Sequence, residues 1–201
     1  MSEIYSYFIE NWFEVVATLL GFVSIYLQIR QHHLYWPVSL VMVIMYIIIY
    51  FRAGLYADML LQWYYVVVSV YGWYLWLKGK PAKASSALPV TFTSLKEAAF
   101  LFAFSVLSFF LLAYVLKNFT NSTVPYIDAF TTALSFTATW MLARKKIENW
   151  LVWIIADVTS VGLYFYKKLY PTMILFIFLS VLAVVGYKTW LKDLKSSHEK
   201  V

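Results

Sequence analysis

In the run ENWLVWIIADVTSVGLYFY, Trp150, Trp153 and Asp157 stand at i, i+3 and i+7, so two indoles and a carboxylate share one face of a helix formed there. An aromatic wall with a negative charge below it suits a flat cationic ring, held by stacking, cation–π contact and ion pairing. Counting about eight residues at 1.5 Å each puts Asp157 roughly 12 Å into an apolar segment. A carboxylate at that depth is costly and by default marks function. Blander readings exist: Trp150, at a helix end, also fits an interfacial aromatic belt. Asp157 could instead cap a hydrogen-bond network with Thr159 or Ser160, or serve a proton relay. A second polar row, Gln62, Tyr65 and Ser69, has the same spacing in LYADMLLQWYYVVVSVYGWYLW. Its amide can bind a ligand amide or hydroxyl, and can equally glue helices together. Tyr46, Tyr50 and Tyr164 read as core or belt aromatics, and Gly72 and Gly186 as points of close helix contact or hinges.

Other chemistries lack their residues. The chain has no cysteine, which removes disulfides, thiolate metal sites and a Cys nucleophile. It has no H-E-x-x-H, G-x-S-x-G or P-loop run. His32, His33 and His198 fall in a loop and a tail. No catalytic residue, metal or cofactor is therefore expected. A retinal protein would need a lysine in the middle of the last span, and Lys188 lies at its end.

Such a row needs a helix inside a membrane, and the composition supplies one. With 63% hydrophobic and 13% charged residues, the chain reads as an all-α polytopic membrane protein. Seven segments are long enough to cross, roughly 12 to 29, 34 to 51, 56 to 77, 95 to 116, 125 to 142, 149 to 166 and 169 to 190. The opening residues carry Glu3 and Glu10 and no base, unlike a cleavable signal peptide. The net charge of +6 is no nucleic-acid footprint here, because the bases sort by loop. Twelve fall on the side of loops 1–2, 3–4, 5–6 and the C-terminus, against four on the other, namely Arg52, Lys117, Lys167 and Lys168. That asymmetry predicts an outside N-terminus and a cytoplasmic C-terminus.

Positions i and i+114 match without gaps from Arg30 to Lys78, with fifteen identities in 49 positions. The pairs include Arg30 with Arg144, Trp36 with Trp150, Gly72 with Gly186, and Trp76-Leu77-Lys78 with Trp190-Leu191-Lys192. Apolar bias inflates matches among Val, Leu and Ile, but not paired Trp, Gly and Arg at one offset. The expected organisation is a first three-helix repeat over 12–78, a cytoplasmic linker and unpaired fourth helix over 79–116, a second repeat over 117–192 and a cytoplasmic tail over 193–201. The unpaired span restores the direction of insertion, so the halves are expected to be parallel in a 3+1+3 arrangement like that of SWEET sugar transporters.

The run ENWLVWIIADVTSVGLYFYKKLYPT, with LYADMLLQWYYVVVSVYGWYLW and the duplication, resembles the PnuC family of bacterial vitamin transporters from about residue 12 to 192. Its most specific elements are the W-x-x-W pair of Trp150 and Trp153, followed four residues later by a polar residue, and the Gln62-x-x-Tyr65 pattern. The resemblance implies import of nicotinamide riboside across the inner membrane by facilitated diffusion, with trapping by cytoplasmic phosphorylation, in a lipid-embedded homotrimer. Thiamine, also a planar cation, is the alternative within the family. A SWEET-type sugar carrier shares the architecture, but a carboxylate beside indoles suits a cation better than a neutral hexose.

Overall fold

The computed structural model describes residues 12–52, 56–78 and 88–198. The N-terminal acidic segment, the Lys- and Pro-containing stretch 79–87 and the last three residues of the expected tail lie outside them. Among the described residues there are seven helices: α1 (Trp12–Ile29), α2 (Tyr35–Arg52), α3 (Tyr56–Lys78), α4 (Leu95–Phe119), α5 (Pro125–Ala143), α6 (Asn149–Tyr166) and α7 (Tyr170–His198). Each coincides with an expected span. The clearest departure is α7, which continues through His198 because no Gly or Pro interrupts LKDLKSSH and Leu194 is still buried.

Among the described residues, three spans are long and apolar enough to cross a membrane on composition alone: α2, α4 and Thr172–Ser196 of α7. The remaining helices carry polar or amphipathic residues that neighbouring helices absorb. In α5, four threonines and Asp128 interrupt the apolar run. Ala129, Ala133, Thr137 and Ala138 are buried there, a small-residue surface that allows close packing. Polar burial extends to Ser24, Ser39, Ser69, Thr139, Asn149 and Ser160, while Phe102, Leu107, Val67 and Phe165 stand exposed. A soluble domain cannot leave such large apolar side chains outside, whereas hydrocarbon solvates them.

The helices divide into two compact units after Lys78, and α4 belongs with α5–α7 in the second. In the first unit α2 packs against both α1 and α3. In the second, α5 packs against α4 and α6, and α6 against α7.

The same local geometry occurs in both units. At the end of α1, Gln31 adopts φ 53°, with His32 N–H bonded to Leu27 O at 2.9 Å and Gln31 N–H to Gln28 O at 3.0 Å. At the end of α5, Lys145 adopts φ 50°, with Lys146 N–H bonded to Met141 O at 2.9 Å and Lys145 N–H to Leu142 O at 2.9 Å. Both are helix ends closed by a left-handed residue and paired back-bonds. In each unit a tryptophan then fills the helix pair that follows. Trp36 of α2 is fully buried against Gly72 and meets Trp76 edge-on, with centroids 5.5 Å apart at 86°. Trp150 of α6 does the same over Gly186 against Trp190, at 5.5 Å and 89°. A Cβ on either glycine would run into the six-membered ring, so the contact requires glycine.

A strap before α4 fastens it to the second unit. Thr91 N–H bonds Lys145 O and Ile147 N–H returns to Thr91 O, both at 3.1 Å. Glu148 accepts from Thr93 N–H at 3.0 Å and from its hydroxyl at 2.7 Å. Lys146 Nζ reaches Glu97 at 2.8 Å and Phe92 O at 3.2 Å. Ser94 and Glu97 form a reciprocal capping box on the first turn of α4. At the opposite end, Lys167 Nζ lies 3.4 Å from Asp128 Oδ1.

Candidate functional site

α6 places Asp157 on the buried side of the helix, one turn beyond Trp153. The two hydroxyls nearest in sequence are committed elsewhere. Thr159 Oγ1 donates to Ile155 O at 2.8 Å and Ser160 Oγ to Ala156 O at 2.9 Å, each closing on its own helix. Among the described residues, no hydrogen bond or ion pair reaches the Asp157 carboxylate. The hydrogen-bond network with Thr159 or Ser160, open on sequence alone, is therefore absent.

Trp153 is half-buried, and its indole Nε1 is shielded with no hydrogen-bond partner. The Nε1 atoms of Trp36 and Trp150 are also unpartnered, so an orphan indole N–H does not by itself mark a site. At Trp153 the shielded donor belongs to the residue one turn before the buried Asp157 carboxylate, and that juxtaposition distinguishes this stretch of α6.

Trp150 shares that face by spacing, but its ring is spent on Gly186 and Trp190 and is 1% exposed. Its geometry is that of a packing residue. Its counterpart Trp36 does the same where no carboxylate follows, since Val43 stands at the position matching Asp157.

Gln62, Tyr65 and Ser69 lie along one face of α3 in the first unit. Gln62 and Tyr65 are half-buried and Ser69 is buried. Tyr65 meets Tyr64 edge-on at 5.6 Å. Gln62 has no hydrogen-bond partner among the described residues. At the repeat-equivalent positions stand Phe176, Leu179 and Ala183, so this row is confined to the first unit and the carboxylate to the second.

Lys145, Lys146, Glu148, Thr93 and Glu97 were not singled out by sequence reasoning. The one sequence signal among them is Ser94-x-x-Glu97, a capping-box spacing just before an apolar run. Burial in its loop pushes the Lys145 ammonium down to about 8, against the opposing attraction of Asp193.

An all-helical protein that exposes large apolar side chains, with a carboxylate buried and unpartnered among the described residues inside one span, is a polytopic membrane protein carrying the mark of a functional site. The chain belongs to the nicotinamide mononucleotide transporter family, whose model matches residues 11–192. It is thus a multi-pass transporter of the bacterial inner membrane and not an enzyme. Among its relatives, the nicotinamide riboside transporter PnuC of Escherichia coli (strain K12) is 26% identical over 207 residues, covering 91% of this chain and 86% of that one. The riboflavin/roseoflavin transporter RibM of Streptomyces davaonensis is 24% identical over 180 residues, covering 89% and 84%. The crystal structure of the vitamin B3 transporter PnuC shares the fold, with a TM-score of 0.73 at 20% identity over 97% of this chain and 87% of that one.

Proposed function

We propose that this transporter carries a planar cationic vitamin, nicotinamide riboside first, with Asp157 as counter-charge and Trp153 as stacking wall. The observation that supports this most is the Asp157 carboxylate, buried in α6 with no hydrogen-bond or ion-pair partner among the described residues. An unpaired carboxylate within a span is costly, and a bound pyridinium would offset that cost. Gln62, Tyr65 and Ser69, on one face of α3 in the first unit, are proposed as further substrate ligands on their spacing in the sequence. The name of the Escherichia coli relative points to the same substrate. Thiamine remains the alternative cation. RibM is named for an uncharged flavin, so charge is the property that separates the readings.

Transport is taken to be facilitated diffusion, with phosphorylation in the cytoplasm trapping the product. The protomer is read as a parallel 3+1+3 duplication with its N-terminus outside, assembled as a homotrimer. The twelve-to-four distribution of bases and the matching helix ends at Gln31 and Lys145 support the duplication and its sidedness.

The test is calorimetric titration of purified protein against nicotinamide riboside, its neutral reduced form, thiamine and riboflavin. Asp157→Asn keeps the shape and removes the charge. It is expected to cost the cation about 1.5–3 kcal/mol, the range for a hydrogen bond to a charged group, while sparing the neutral reduced form. Equal affinity of both proteins for the cation would remove Asp157 from the site.

A further inference from the structure

Away from the α6 pair, α4, α5 and α6 enclose a groove of about 750 Å³. It runs along α4 from Ala98 to Phe110 and along α5 from Phe130 to Met141, with Val152 of α6 completing the wall. Four lining residues carry side-chain polar groups, and all four are already bonded: Thr93 to Glu148, and Ser105 to Thr137. The rest of the lining is apolar, so water would find few partners there. From Ala98 to Phe110 the groove is roughly 18 Å long at 1.5 Å per residue, close to one leaflet of a hydrocarbon core about 30 Å thick. Extended acyl chains of that length would lie along its apolar lining. The groove ends beside a basic loop. Arg144 continues the α5 stripe one turn past Met141 and is exposed, with its guanidinium 4.9 Å from the centre of the Trp140 ring. Lys145 is buried and Lys146 is paired with Glu97, so Arg144 is the cation that this loop exposes.

We propose that this groove is a phospholipid site, in which acyl chains of the leaflet at the Arg144 end lie between α4 and α5 and Arg144 holds an anionic headgroup phosphate. Arg rather than Lys suits a phosphate through its planar fork of donors. The site is separate from the Trp153–Asp157 pair and does not depend on which vitamin is carried.

Native mass spectrometry of delipidated protein titrated with phosphatidylglycerol or phosphatidylcholine tests it. The expected result is a phosphatidylglycerol adduct on each chain, at least tenfold weaker in Val106→Trp, which fills the groove, and intact in Leu107→Trp, which lies outside it. Arg144→Gln should abolish the preference for phosphatidylglycerol over phosphatidylcholine. Because the chain has no cysteine, Val106→Cys labelled with a bulky maleimide fills the groove of protein already folded, and the adduct should again disappear. Undiminished adducts after both filling procedures would overturn the proposal. So would efficient cross-linking of Val106→Cys between two chains in native membranes, which would make a second copy the occupant.

Discussion

Gly186→Ala adds one methyl group where α7 touches the ring of Trp150. The new carbon would lie 2.5–2.6 Å from three ring carbons, against the 3.5–4.0 Å at which carbon atoms attract. The ring has little freedom to retreat, because it is buried on all sides and Trp190, one turn along from Gly186 on the same helix, meets it edge-on at 5.5 Å. Overpacking of a tight contact costs about 1–3 kcal/mol, and replacing a helical glycine by alanine returns up to about 1 kcal/mol. The variant should therefore be destabilised by roughly 1–2 kcal/mol. At Gly162 of α6 an added methyl carbon would meet nothing within 4 Å, so Gly162→Ala should gain about 0.5–1 kcal/mol from the same helical preference. The two substitutions are chemically identical and should differ in sign. Unfolding free energies from detergent-denaturant titration in mixed micelles provide the comparison, with the double variant Trp150→Leu/Gly186→Ala less destabilised than the sum of its single changes. A Gly186→Ala protein as stable as Gly162→Ala would refute the view that this glycine exists to admit the indole.

Three further outcomes are expected. With burial holding Lys145 at about 8, below its ordinary 10.5, the residue is charged in both folded and unfolded chains below pH 8, and the burial penalty is then fully present. Between pH 8 and 10.5 the folded chain has released a proton that the unfolded chain keeps, so stability should rise with pH; Lys145→Gln, which places the residue found at Gln31, should flatten that rise in the same titrations. Trp153→Ala should weaken vitamin binding tenfold to a hundredfold, the effect of about 1–3 kcal/mol of lost stacking, and Trp153→Phe less; unchanged affinity in calorimetry would make Trp153 a packing residue. A cysteine replacing Ser197 should react with impermeant reagents in inside-out vesicles only, and labelling in intact spheroplasts would reverse the topology.

Helix positions were legible because a bilayer sets a minimum length and apolar runs meet it visibly: α1 begins and ends where the sequence places the first span. Asp157 was legible for the related reason that charge within such a run is rare. The two indoles of α6 were not separable, because spacing assigns a face and cannot say whether a partner glycine lies opposite; Gly186 does so for Trp150, 36 residues away in the chain. The left-handed residues were hidden because Gln31 and Lys145 are not the glycine that such positions favour. The strap was hidden because nothing in the composition of Thr93 pairs it with Glu148.

The strap also sets an order of events during synthesis. Thr93 and its acceptor Glu148 are 55 residues apart, so α4 is made well before the loop that secures it exists. At about 5–20 residues per second, that interval lasts roughly 3–11 s. Throughout it, Glu97 has its capping serine but no lysine, and the first turn of α4 waits with its neighbouring donors unsatisfied. A newly inserted α4 is thus a provisional helix, anchored by its own apolar length, whose registration in depth becomes permanent only when the α5–α6 turn emerges. Slowing translation between Phe119 and Lys146 would prolong that vulnerable interval without altering a single residue of the finished protein.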